Sequence, residues 1–362
     1  MIDWNTEQAG SWRKERESLV TRKIRVLVVD DSLMFREVMA RALSADDAIE
    51  IVGTAGDPFD ARDKLIALRP DVMTCDVEMP KMNGIEFLRR LLPQVPLPVV
   101  VVSGANDAVG EAMMVGAVDF VRKPDPHSPK SVESFLRTLA ATIKSAAQAK
   151  IVPGNASRQT TPLPHEAATA AETHSGRKLI AIGASTGGTE AIFSVLKQLP
   201  DTIPGIVIVQ HIPAGFSRMF AERLNQTTGF EVKEAQSGDE VISGRVLIAP
   251  GDRHMRVKKS GNGYRVECFE GEKVNGHCPS VDVLFDSVAK LCAPESVGVI
   301  LTGMGYDGAK GLLAMRRKGA RTVGQNEQSS VVYGMPRVAF ELGAVEKQSS
   351  LEYIPQAILK ML

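Results

Sequence analysis

The sequence predicts an α/β chain of two domains, the first a doubly wound parallel sheet and the second a further α/β domain. Three observations carry this. At 362 residues the chain is too long for one ordinary domain and gives two domains room for separate apolar cores. Short β-branched runs alternate with stretches of helical apolar spacing in both halves. Between the halves, from about Ala149 to Ser175, Ala, Thr, Pro, Ser and Gly replace any apolar periodicity, which reads as a flexible linker. The expected divisions are an extension over 1–22, a first domain over 23–147, a linker over 148–176 and a second domain over 177–362.

In the first domain the predicted strands are Ile24–Val29, Glu50–Thr54, Val72–Cys75, Val99–Val102 and Val118–Val121, with helical spacing over Leu33–Leu43, Ile85–Leu92 and Val132–Ala147. In the second, Leu179–Ile182, Ile206–Val209, Val246–Ala249 and Val297–Leu301 read as buried strands. Lys plus Arg (43) equals Asp plus Glu (43), so no overall field favours nucleic acid or an anionic membrane. No segment reaches the roughly 18–20 apolar residues of a membrane span, and the start of the chain lacks a signal peptide's apolar stretch. The four cysteines are scattered without metal-ligand spacing, which suits free thiols in the cytoplasm.

Ligands of open parallel sheets sit beyond the carboxyl ends of the strands, so the residues just after each apolar run are the informative ones. In the first domain these are Asp30 and Asp31, then Asp76, Ser103 and Lys123-Pro124. Each aspartate alone could be an ordinary strand-end turn residue. Three converging carboxylates instead imply a divalent cation, and oxygen-only ligands favour Mg²⁺. Asp76, at the central strand, is the candidate nucleophile, with Mg²⁺, Lys123 and the Ser103 hydroxyl placed to neutralise a phosphoryl group.

These residues, with the run from Asp76 to Gly84, resemble the response-regulator receiver domain over about Lys23 to Ala147. The resemblance implies a flavodoxin-like fold and phosphorylation of Asp76 by a histidine kinase. It implies Mg²⁺ at Asp30, Asp31 and Asp76, and switch positions at Ser103, Phe120 and Lys123. Between Ser103 and Gly116 the sequence is shorter than that pattern.

In the second domain, Gly183-Ala-Ser185-Thr-Gly187 lies between a predicted strand and helix. Such a turn can expose a nucleophilic hydroxyl beside unpaired helix amides, although alone it fits equally a phosphate-binding or a plain tight turn. A serine nucleophile needs a base, usually a histidine oriented by a carboxylate. Of six histidines, His127, His165 and His174 fall in a loop or the linker, while His254 and His277 follow looser Gly-rich segments. His211 directly follows a strand and is the expected base. Asp307 lies in the Gly-rich loop after Val297–Leu301 and is the expected carboxylate, with the Met304 amide as an oxyanion donor, although in isolation the loop also fits a Gly-rich phosphate loop before a helix.

The order Ser, His, Asp differs from the Ser, acid, His order of α/β-hydrolases. Together with Gln210-His-Ile-Pro213, Ala249–Met255, Pro279–Phe285, Thr302–Gly308 and Val331–Pro336, it resembles the CheB family of chemotaxis methylesterases over about Arg177 to Leu362. The resemblance implies a Rossmann-like α/β methylesterase domain. Its catalytic residues would be Ser185, His211 and Asp307, with Thr186 and Met304 beside the nucleophile and oxyanion. It further implies methylated chemoreceptors as substrates, deamidation of receptor glutamines, activation by phosphorylation and no cofactor for ester chemistry. The competing readings are a general α/β-hydrolase and a binding regulator without catalysis. His254 and His277 fall in family motifs without an assigned role.

Overall fold

A computed structural model describes residues 22–80, 82–104, 112, 115–124, 128–149 and 179–362. His127, His165 and His174, nearly all of the predicted extension and linker, and most of the stretch between Ser103 and Gly116 lie outside the described residues. The chain divides into two units, Met1–Leu163 and Pro164–Leu362. No described helix is long and apolar enough to cross a membrane.

In the first unit, β1 (Ile24–Val29), α1 (Leu33–Leu43), β2 (Ile49–Ala55), α2 (Pro58–Leu68), β3 (Val72–Asp76), α3 (Gly84–Leu91), β4 (Val99–Ser103), β5 (Asp119–Arg122) and α4 (Pro129–Ala147) follow in order. All strands pair in parallel in the order β2-β1-β3-β4-β5. That is the flavodoxin-like order, whose ligand crevice opens where β1 and β3 lie side by side. Every residue of β3 and β4 is buried, which explains their continuous apolar runs. The last helix starts earlier than its apolar spacing suggests. Ser128 accepts from the Ser131 amide as its N-cap, and Pro129 occupies the first turn, where its missing N–H costs nothing.

In the second unit, β6 (Leu179–Ala184), α5 (Gly188–Leu196), β7 (Gly205–Gln210), α6 (Phe216–Thr227), β8 (Glu231–Glu234), β9 (Glu240–Val241), β10 (Arg245–Ile248), β11 (His254–Ser260) and β12 (Gly263–Phe269) come first. They are followed by α7 (Val281–Leu291), β13 (Ser296–Ile300), α8 (Ala309–Arg317), β14 (Arg321–Gln325), α9 (Met335–Glu341), β15 (Lys347–Ser349) and α10 (Ile354–Leu359). Seven strands form one parallel sheet, in the order β15-β14-β13-β6-β7-β10-β8. Alternate residues of each strand serve opposite faces. Leu179, Ala181, Val207 and Val209 join Phe285 and Leu312 on one side. Ile180, Ile182, Ile206 and Ile208 join Ile192, Leu224 and Ile358 on the other.

From β6 the chain runs to β7 on one side, and later from β13 to β14 on the other. The carboxyl ends of β6 and β13 therefore flank the point where the winding reverses. A second, antiparallel sheet in the order β11-β12-β9 was not among the sequence expectations. Its apolar residues Met255, Val257, Val266 and Cys268 join the core cluster that includes Phe285 of α7.

Candidate active site

The turn after β6 is built from backbone bonds. The Ser185 amide donates to the Thr302 carbonyl at 3.0 Å, and the Ser185 carbonyl accepts from the Gly188 amide at 2.7 Å and from Gln210 Nε2 at 2.9 Å. Gly303 has no room for a side chain, since a Cβ there would lie 2.7 Å from Ser185 Cβ. The loops after β6 and β13 thus touch at the serine. The Gly303 carbonyl accepts from the Gly334 and Met335 amides at 3.1 and 2.8 Å. Because a trans peptide points its C=O and N–H in opposite directions, the Met304 N–H faces away from α9. The Met304 side chain is exposed, while Thr186 is buried and its carbonyl accepts from Thr302 Oγ1 at 3.0 Å.

His211 follows β7, and its amide donates to the Ala184 carbonyl, next to Ser185, at 3.1 Å. Its Nε2 lies 2.8 Å from Asp307 Oδ2. Nδ1 is buried without a hydrogen-bond partner among the described residues. The His277 ring stacks on His211, with centroids 3.7 Å apart and planes within 7°.

Asp307 is almost fully buried, beneath the N-terminus of α7. Its Oδ1 accepts from Asn275 Nδ2 at 2.8 Å, Ser280 Oγ at 2.8 Å and the Asp282 amide at 3.3 Å. Its Oδ2 accepts from the Val281 amide at 2.6 Å as well as meeting His211. Burial alone would raise its pKa, but the bond to His211 and that residue's charge, with Asn275 and Val281, hold the carboxyl well below the usual range. Burial dominates at neighbouring Asp282 and raises its pKa. Burial, then the charge of His211, pulls the His277 imidazole down to about 4.

His211 and Asp307 are therefore paired, and Ser185 follows Ala184, whose carbonyl takes the His211 amide, so the three residues follow neighbouring strands at one sheet edge. Sequence reasoning missed Asn275, Ser280 and Gln210 and gave His277 no place beside His211. Two signals were present: Ser280 sits at the N-cap of an apolar helix, and Asn275-Gly276 is a favoured hairpin pair. His254 is buried, its Nε2 2.9 Å from the Glu272 carbonyl and its Nδ1 accepting from the Ser280 amide at 3.2 Å.

In the first unit, Asp30 and Asp76 are buried and Asp31 is exposed, with one carboxylate oxygen of each within 4.8 Å of the others. Lys123 Nζ lies 2.7 Å from Asp30 Oδ2 and 2.6 Å from Asp76 Oδ2. Asp76 Oδ1 accepts from the Val77 amide at 2.7 Å. Burial raises the Asp76 pKa, Lys123 opposes it and Asp30 adds to it. Three hard oxygen donors around such a point fit a divalent cation of the Mg²⁺ type. Ser103 is buried at the end of β4, its carbonyl accepting from the Lys123 amide at 3.0 Å, and Phe120 lies half-buried on β5.

A flavodoxin-like sheet with an acid cluster at its carboxyl edge, followed by a larger parallel sheet with Ser, His and Asp at its edge, defines a response regulator with an enzyme-type output domain. The response regulator receiver domain model matches residues 26–129, and the CheB methylesterase model matches residues 180–358. The chain belongs to the CheB methylesterase family. A Syntrophomonas wolfei protein named protein-glutamate methylesterase/protein-glutamine glutaminase 2 is 57% identical over 341 residues, covering 94% of this chain and 98% of that protein. A Salmonella typhimurium protein-glutamate methylesterase/protein-glutamine glutaminase is 46% identical over 341 residues, covering 93% and 96%. The crystal structure of the Thermotoga maritima CheB methylesterase catalytic domain superposes with a TM-score of 0.50 at 35% identity, over 51% of this chain and 99% of that one.

Proposed function

We propose that the chain is a phosphorylation-activated serine hydrolase that removes methyl esters from glutamate side chains of chemoreceptors and deamidates receptor glutamines. The observation that carries the reading is the His211–Asp307 bond. With Asp307 ionised, the imidazole proton sits on Nε2, which leaves the buried Nδ1 as the basic atom at the edge that holds Ser185. The names of the relatives supply protein glutamate esters and glutamines as the substrate class, and the resemblance to the CheB family supplies the chemoreceptor.

In this mechanism Ser185 Oγ attacks the γ-carbonyl as His211 Nδ1 takes its proton. The oxyanion is met by the Met304 N–H and by amides at the start of α5. Collapse breaks the bond to the leaving oxygen, which receives the proton from Nδ1 and departs as methanol. Water, deprotonated by the same nitrogen, then cleaves the acyl-enzyme to glutamate. A glutamine substrate follows the same route with ammonia leaving. The test is methanol release from a methyl-esterified chemoreceptor cytoplasmic fragment, with a small-molecule phosphodonor and Mg²⁺ present. Release no faster than from the receptor fragment alone would overturn the reading.

Activation begins at Asp76, whose carboxylate accepts a phosphoryl group from a histidine kinase. Asp30, Asp31 and Asp76 would hold Mg²⁺, whose chemistry is to neutralise phosphoryl oxygens. Lys123 is in place to pair with the same charge, and Ser103 and Phe120 are the proposed switch positions. The Asp76→Asn chain is expected to keep its basal methanol release and lose the increase produced by the phosphodonor; an equal increase in both proteins would remove Asp76 from the scheme.

Mg²⁺ alone is expected to stabilise the first unit, because it relieves repulsion between buried carboxylates. At about ten times its Kd the gain is about 1.4 kcal/mol. It appears as a higher melting temperature for that unit in calorimetry of the full chain, and absence of any shift would count against a cation at the cluster.

A further inference from the structure

The segment between β12 and α7 brings two side chains to the His211–Asp307 pair from one turn. In Val274–His277, the Val274 amide donates to the His277 carbonyl and the His277 amide to the Val274 carbonyl, both at 3.0 Å. The two central residues, Asn275 and Gly276, have φ of +53° and +86°. This is the primed-turn pattern for which Asn-Gly is the preferred pair. The ends of the segment are tied to one side chain, since His254 meets the Glu272 carbonyl through Nε2 and accepts from the Ser280 amide through Nδ1.

Both hydrogens of the Asn275 amide are committed. Nδ2 lies 2.8 Å from Asp307 Oδ1 and 2.7 Å from Asp282 Oδ2, bridging two buried carboxylates. Asp282 is held from its other oxygen, where Oδ1 accepts from the Gly311 amide at 2.7 Å. Two residues on, His277 covers the face of His211. A ring that stays neutral at ordinary pH can keep that place while His211 gains a proton, since two stacked cations would repel. One rigid turn thus restrains the carboxylate against rotation and the imidazole against tilting.

We infer that the Val274–His277 turn is a positioning element for the general base, with Asn275 fixing the Asp307 carboxylate and His277 fixing the plane of the His211 ring. This rests on the hydrolytic mechanism proposed above. Neither residue touches the ester; both act through His211 and Asp307. The role also accounts for His254, which anchors the segment that carries them.

The test is Asn275→Gly in the full chain, because glycine adopts a positive φ without strain and so removes the side chain with its amide while keeping the turn. The expected result is a kcat lower by about 10- to 100-fold, the scale of a misplaced catalytic group, with KM changed by less than about twofold. The downfield proton resonance of His211 Nε2–H should broaden or shift, while the melting curve shows a folded protein. A kcat within about twofold of the wild type, with that resonance unchanged, would overturn the role of Asn275.

His277→Ala and His277→Phe form the second pair of variants. Phenylalanine restores a flat ring and should recover most of the activity lost with alanine; recovery no better than alanine's would overturn the stacking role. The resonance is also read in Ser185→Ala protein carrying Asn275→Gly, where no ester chemistry is involved. A failed hydrolytic reading and a failed positioning role therefore give different results.

Discussion

Replacing Ser185 with alanine is expected to lower kcat for methanol release by roughly 10⁴- to 10⁶-fold, the range set by removing the nucleophile of a serine hydrolase triad. The fold should not change. The turn bonds made by Ser185 come from its backbone, through its amide to Thr302 and its carbonyl from Gly188 and Gln210. Alanine keeps the Cβ that packs over Gly303 and removes only Oγ. His211 and Asp307 remain bonded to each other, so the variant separates loss of the nucleophile from loss of the base. The measurement is methanol released per mole of enzyme in the presence of phosphodonor, alongside a melting curve matching the wild type. A variant that retains a tenth or more of wild-type turnover would exclude Ser185 as the attacking group.

The pairing of His211 with Asp307, and the place of Ser185 on the neighbouring loop, were legible because parallel sheets impose a simple geometry. Each strand delivers its next residue to the same edge, so Ser185, His211 and Asp307 could be picked from apolar runs and the residues after them. The convergence of Asp30, Asp31 and Asp76 in the other unit followed from the same reasoning. What that reasoning could not reach is the set of donors around Asp307. Asn275 and His277 lie on a turn whose flanking chain His254 holds, and although Asn275-Gly276 marks the turn, no local periodicity shows where it lands.

Among strands, β14 and β15 escaped notice because neither has a continuous apolar run; β15 is Lys-Gln-Ser at the edge of its sheet. The β11–β12 hairpin left a weaker trace, with Met255 and Val257 alternating with charged residues before the Gly261-Asn262 turn. Such alternation fits a strand with one wet face, but the search for buried parallel strands passes over it.

Asp307→Asn is expected to lower kcat by about 10⁴-fold with little change in KM, since an amide in this place imposes the wrong tautomer on the base. Five groups converge on the carboxylate, and an amide has one accepting oxygen. If that oxygen takes the Oδ1 position, it keeps Asn275, Ser280 and the Asp282 amide. The amide nitrogen then faces the Val281 N–H, a donor against a donor, and donates to His211 Nε2, which moves the imidazole proton to Nδ1. No basic nitrogen is left for Ser185. If the amide is turned over, His211 keeps its tautomer, but the three donors at Oδ1 lose their acceptor, at about 1–3 kcal/mol for each buried group left unpaired. The first arrangement satisfies more donors, so the inactive tautomer prevails.

The same substitution changes the response to acid. Asp307 has a folded-state pKa depressed below its unfolded value of about 3.9. Its contribution to stability is therefore complete above that value and is lost as pH falls toward the folded pKa. The Asp307→Asn protein has no such contribution to lose, so it should melt lower at neutral pH and decline less on acidification below about pH 4. Turnover within about tenfold of the wild type, or an unchanged acid dependence of melting, would contradict an ionised Asp307 as the group that orients His211.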